Sequence, residues 1–166
     1  SKLSLRTRAE INSDTLADTI KYAHSIGKKV YVALNIYAMD EDYNEIESEV
    51  KRLDKLGADA IIASDVGVIN TIKNIAPNME IHISTQANTV SLHAAEFWKK
   101  FGAKRVVISR ELSKEKIKYI MENKPKDLDV EMFIHGAICY AYSGRCYLSK
   151  YLANRCANQG DCAQPC

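Results

Sequence analysis

Apolar, β-branched runs alternate along the chain with stretches whose apolar positions recur every three or four residues. The runs are 29–35, 58–63, 80–83, 104–108 and 129–134, at intervals of about 25 residues, and their composition predicts five strands. Helices are predicted at 14–26, 41–56, 66–75 and 90–101, with one more opened by Ser113 and carrying Ile117, Ile120 and Met121. In the helix at 41–56, Tyr43, Ile46, Val50 and Leu53 share one face, Asp40 is placed to cap it and Gly57 to stop it. Asp65, Asn88 and Ser113 are read as caps of the helices that follow them.

A chain that returns to a parallel strand needs a crossover of a dozen or more residues, so this alternation predicts right-handed βαβ units in one parallel sheet. The rival is an open doubly wound sheet, but no G-x-G-x-x-G or Walker pattern follows a strand. The predicted fold class is α/β: a partial (β/α) TIM-type barrel with parallel strands, followed by a cysteine-rich segment. A complete barrel takes roughly 250 residues and this chain has 166. The helix at 14–26, with Leu16, Ile20 and Ala23 on one face, precedes the first visible strand, so an earlier strand is expected upstream.

In a barrel the active site is assembled at the carboxyl ends of the strands. Here those ends are polar: Asn35; Ser64 and Asp65; Ser84, Thr85 and Gln86; Ser109, Arg110 and Glu111; then His135 before Gly136. Helix capping accounts for Asp65, Asn88 and Ser113, whereas Gln86, Arg110, Glu111 and His135 are the candidates for catalysis. Arg110 can grip a substrate carboxylate or phosphate, or be neutralised by Glu111 in a structural ion pair. His82 falls mid-strand and reads as an interior histidine, and His24 and His93 fall on helices.

All five cysteines lie from Cys139 to Cys166. A disulfide framework serves domains too small to have a core, and this chain, 46% apolar, has enough for one. The spacing C-x6-C-x15-C-x3-C of Cys139, Cys146, Cys162 and Cys166 supplies four thiolates, which suit a structural zinc or an iron–sulfur cluster. The wide first pair disfavours zinc, whose knuckles are tighter. Unligated thiols in a tail are the remaining reading. The expected organisation is a partial barrel over residues 1–134, with a cluster-binding segment over 135–166 packed on the barrel mouth.

With 23 basic and 21 acidic residues the net charge of +2 creates no field that argues for nucleic acid, so RNA binding rests on a local site. No apolar run approaches the roughly 18 residues of a membrane span, and the start lacks a secretory core; a cytoplasmic protein is expected.

The stretch Glu131–Cys139, continuing through Gly144, Cys146 and Ser149, resembles the signature of the collagenase-like peptidase family of unknown catalytic type. The segment from Asn158 to Cys166, Ser84–Asn88, Arg110–Glu111 and the opening Ser4–Arg8 are similar to that family as well. Cys156 departs from the pattern, which usually has an acidic residue there, and so is a doubtful ligand. The resemblance implies a partial barrel lacking strands at both ends. Some members of the family are reported as collagenases. Others are associated with hydroxylation of transfer or ribosomal RNA or of a quinone precursor, and hold a 4Fe-4S cluster on four cysteines.

Three functions follow as expectations. The first is an iron–sulfur enzyme hydroxylating an RNA base, with a small-molecule co-substrate at the strand ends, Arg6, Arg8, Arg110, Arg145 and Lys150 reaching phosphates, and Tyr140 or Tyr142 stacking; the same side chains can instead simply pack over the cluster. The second is a peptidase acting on a peptide substrate. The chain has neither H-E-x-x-H nor G-x-S-x-G, which leaves Cys139 with His135 as the thiol and base. The third is a binding module completed by other segments or by self-association through open sheet edges.

Overall fold

The computed structural model describes residues 3–4, 13–136, 139–157 and 160–166. Arg6 and Arg8, Ala137 and Ile138, and Asn158 and Gln159 therefore lie outside the described residues. The element order is α1 (Ser13–Ser25), β1 (Tyr31–Ala33), α2 (Tyr43–Leu56), β2 (Ala60–Ala63), α3 (Val66–Ile75), β3 (Glu80–Ile83), α4 (Leu92–Lys100), β4 (Arg105–Val107), α5 (Lys114–Asn123), β5 (Asp129–Glu131) and α6 (Leu148–Ala153).

The five strands form one sheet in the order β1-β2-β3-β4-β5, and every neighbouring pair is parallel. The order never reverses, so the sheet has no switch point of the doubly wound kind. Register places Ile61, Ala63, Ile81, Ile83 and Val106 on one face, and all five are buried in the same core as Ile46, Val50 and Leu53 of α2 and Val68, Ile69 and Ile72 of α3. Right-handed crossovers that advance one strand at a time lay successive helices on the same side.

The opposite face mixes polar side chains with the apolar Ala60, Ile62 and Val107. His82 is buried there, its ring edge-on to Tyr31 with 4.6 Å between centroids. Arg105 lies over Tyr31 and reaches Asp129 and Glu131, each at 3.3 Å. Burial, with the Arg105 charge adding to it, holds the His82 pKa below the usual histidine value.

Local chemistry explains the boundaries. Gly57 takes φ +77 to end α2, Asp65 accepts the Val68 N–H at 3.0 Å to begin α3, and Ser113 accepts from Lys116 to begin α5. Two expected caps are corrected. Asp40 does not cap α2: residues Asp40–Asp42 form a 3-10 turn, and the Asp42 carboxylate accepts the Met39 N–H. Asn88 ends the 3-10 turn Thr85–Ala87 in the left-handed conformation, and it is Ser91 that accepts the Ala94 N–H to open α4. The strands are also shorter than their apolar runs. β5 stops at Glu131, and Met132, Phe133 and Ile134 are exposed because no neighbouring strand among the described residues pairs them.

Candidate functional site

The strand ends build one rim. Ser64, Ser84 and Ser109 follow β2, β3 and β4 and are all buried, and Ser64 donates to the Asn35 carbonyl. Beside β3, β4 and β5 opens a cleft of about 850 Å³ whose polar walls include Thr85, Gln86, Ser109, Arg110, His135, Cys139 and Ser143. Ile108, Leu112, Ile117 and Met132 to Ile134 supply its apolar walls.

Three of the four candidate catalytic residues, Gln86, Arg110 and His135, line this cleft. The Ser84 hydroxyl donates to Gln86 Oε1 at 3.0 Å, which leaves the Gln86 amide nitrogen as its free donor. Among the described residues Arg110 Nε and Thr85 Oγ1 are buried with no hydrogen-bond partner, an arrangement that costs energy unless a ligand or water meets them.

Glu111 behaves differently from its neighbours. Its Oε1 accepts the Ser143 N–H at 2.6 Å and its Oε2 accepts the Ser143 hydroxyl at 3.1 Å, so it ties down a distant turn in place of an ion pair with Arg110. Partial burial works against its charge, yet the Ser143 N–H and hydroxyl hold its carboxyl below the usual range. Ser143 is fully buried, sits at φ +47, and also meets the Ser109 hydroxyl at 3.1 Å. A left-handed serine is strained, and these bonds over-determine it. Two residues on, Arg145 donates to the Gln86 carbonyl at 3.2 Å and lies over the Tyr37 ring. The turn between Cys139 and Cys146 is thus bracketed to the ends of β3 and β4.

All five cysteines are free thiols. Cys139 borders the cleft. Cys146 accepts the Leu148 N–H at 3.3 Å, and Cys162 accepts the Gln164 N–H at 3.3 Å in the same i to i+2 pattern. The Ser149 hydroxyl, then the Gln164 N–H, hold the Cys162 thiol below its ordinary pKa. Donors aimed at sulfur favour thiolate, the form that binds soft metals and clusters, so the donor chemistry fits such a group. The four sulfurs are not gathered at one point: among the described residues no three His, Cys, Asp or Glu side chains lie close enough to share an ion. His135 and Cys139 share the cleft without a hydrogen bond between them.

Sequence reasoning missed the roles of Ser143, Ser149 and Tyr37. Their signal was faint: serines set in an apolar and aromatic run where a solvent-facing reading was equally natural.

A family model described as peptidase family U32 matches residues 1–166. The chain belongs to peptidase family U32. It is 43% identical over 166 residues to the tRNA hydroxylation protein P of Escherichia coli K12, covering 99% of this chain and 36% of that protein. It is 41% identical over 169 residues to the uncharacterized protease MJ0090 of Methanocaldococcus jannaschii, covering 99% of this chain and 41% of that one. The chain therefore spans well under half the length of these U32 relatives. The solved U32 peptidase Mk0906 superposes with a TM-score of 0.60 at 15% identity, over 78% of this chain and 56% of its own, which shows a shared fold. No helix among the described residues is long and apolar enough to cross a membrane.

Proposed function

We propose that this chain is the cysteine-bearing sector of a U32 enzyme that hydroxylates a transfer RNA base. The observation that carries the reading is the cleft beside Cys139, where Arg110 Nε and Thr85 Oγ1 are buried with no hydrogen-bond partner among the described residues. Such a wall binds an anionic small-molecule co-substrate through bidentate contact with Arg110, with the apolar walls holding its body. Both Glu111 carboxylate oxygens bond Ser143, although its charge still acts on the neighbouring Arg110. The 43% identity to a tRNA hydroxylation protein supports RNA as the partner.

Cys139, Cys146, Cys162 and Cys166 would hold a 4Fe-4S cluster, the two cysteine-bearing segments closing around it. Bound there, the cluster would supply one-electron transfer. The residues' own part is to bind and orient: Arg110 and Gln86 fix the co-substrate, Thr85 hydrogen-bonds it, and Met132 to Ile134 offer it apolar contact. Sequential parallel strands support completion of the sheet as a (β/α) barrel by the rest of the protein.

The peptidase reading draws on the name of the 41% identical relative. Its weakness is chemical: Ser143 is fully buried and bonded to Glu111, and among the described residues Cys139 has no base hydrogen-bonded to it.

The test is to purify the full-length protein without oxygen, measure its absorption spectrum, iron and sulfide, and analyse the nucleosides of transfer RNA from cells lacking the gene. Loss of a hydroxylated nucleoside, restored by the wild-type gene and not by Arg110→Ala, is expected. Unchanged nucleosides together with proteolysis that disappears in Cys139→Ala would establish the peptidase instead.

A further inference from the structure

From Met132 to Gly160 the chain carries no Asp or Glu, although it has 21 acidic residues in all. Within this run lie Arg145, Lys150 and Arg155. Arg155 is neutralised by Asp161 at 2.6 Å. Arg145 meets a carbonyl and Lys150 meets the Asn154 amide oxygen, so among the described residues neither has a carboxylate partner. This part of the surface therefore presents uncompensated positive charge.

The same run exposes aromatic rings. Tyr140 is 93% exposed, Tyr151 87%, Tyr147 67% and Tyr142 51%, and of the six large apolar side chains exposed between residues 140 and 152, four are these tyrosines. Tyrosine suits a surface that is wet until a planar group stacks on it.

The geometry ties these groups together. Tyr151 donates its N–H to the carbonyl of Tyr147, the N-cap of α6, at 3.0 Å, which puts the two residues one turn apart along the chain. Arg145 lies 5.8 Å over the Tyr37 ring. Arg145 also bonds the carbonyl of Gln86, whose side chain lines the cleft. A surface of rings and cations therefore abuts the cleft rim.

We infer that Tyr147 and Tyr151, with Lys150 and Arg145, form a platform for single-stranded RNA, on which bases stack while the two cations take phosphates, leading a strand toward the cleft. The inference rests on the RNA reading above and adds to it the binding surface. Ring stacking tolerates any base, and the cations supply the salt dependence typical of single-strand binding. Aromatic stacking and 2′-hydroxyl contacts are also how proteins hold unpaired loops of folded RNA.

The experiment uses full-length protein and a fluorescein-labelled single-stranded oligouridylate, with affinity measured over a range of potassium chloride concentrations. Tyr147→Ala and Tyr151→Ala should each weaken binding between about fivefold and a hundredfold. Tyr151→Phe should retain wild-type affinity because the ring remains. Lys150→Gln should reduce the salt slope by about 0.7, the value for one phosphate contact on a single strand. These side chains are exposed, so circular dichroism should be unchanged throughout. In parallel, nitration of the free protein with tetranitromethane should modify Tyr147 and Tyr151, and oligouridylate should protect them.

Unaltered affinity in both alanine variants overturns the platform. So does a Tyr151 that resists nitration in free full-length protein, which would mean the remaining polypeptide covers this face. If the platform fails while cells complemented with Tyr151→Ala still make hydroxylated transfer RNA, the enzyme reading survives alone. Wild-type protein that ignores oligouridylate also ends the platform, and the nucleoside analysis then decides the enzyme reading separately.

Discussion

The sheet with its helices and the cysteine segment are built by different physics. Every buried hydrophobic side chain among the described residues lies at or before Leu128, whereas from Cys139 to Cys166 the fully buried residues are two serines, Ser143 and Ser149. The first region is held by apolar area removed from water, spread over many side chains. The second hangs on a few hydrogen bonds around two polar nodes: Ser143 anchors its turn to Glu111, and Ser149 accepts the Ala163 N–H at 3.0 Å while meeting Cys162. Burial is cooperative and tolerant of single changes in identity, while a polar node is lost by removing one atom. A segment attached this way can shift without unfolding the scaffold.

The largest expected effect is in the scaffold. Leu53 is fully buried, and Leu53→Ala should cost about 2–5 kcal/mol of global stability. Urea unfolding followed by circular dichroism would measure it, and hydrogen exchange should quicken in all five strands together. Exchange confined to α2 would break the picture of one cooperative core.

Next comes Glu111→Ala, which leaves the buried Ser143 N–H and hydroxyl without their acceptor, at a cost of about 1–3 kcal/mol. The effect should be local. Amide exchange in residues 140–146 should accelerate while β1 to β4 stay protected, and equal acceleration throughout would show that the segment is part of the core after all.

The smallest effect is a separation by pH. His82 has its native pKa depressed, so below about 6.5 the unfolded chain takes up a proton that the native imidazole refuses. Scaffold stability should therefore fall as pH drops through that region, by no more than about 1.4 kcal/mol per pH unit for this one proton. The slope should vanish in His82→Gln. Glu111 is the opposite case: its depressed carboxyl pKa gives stability that is present above the unfolded value of about 4.3 and is lost as pH falls through the native one. The 140–146 segment should thus keep its slow exchange through the window where the His82 contribution changes, and should open only in stronger acid.

How much was legible beforehand follows the same division. Strands and helices were readable because periodicity is a local property: Ile46, Val50 and Leu53 mark a buried stripe wherever α2 packs. Their ends were less so. Asp40 and Asn88 had the right residue type for a cap, but Asp42 and Ser91 took up the neighbouring N–H groups instead, a choice made by backbone turns that composition does not encode. At the candidate site, Gln86, Arg110 and His135 were visible as polar residues after strands, and the structure brings them to one cleft. Glu111 was visible for the same reason and read as chemistry, because its partner Ser143 is distant in sequence.

What the amino-acid sequence determined by itself is the alternation of elements, the parallel sheet it implies, the family, and the confinement of all five cysteines to residues 139–166. The tertiary structure alone decided which polar groups are left without partners and which are consumed. Among the described residues Arg110 Nε is left without a partner while Glu111 beside it is bonded to a turn, since hydrogen-bond satisfaction depends on atoms brought together by folding. Periodicity is a property of neighbours along the chain, and satisfaction is a property of neighbours in space.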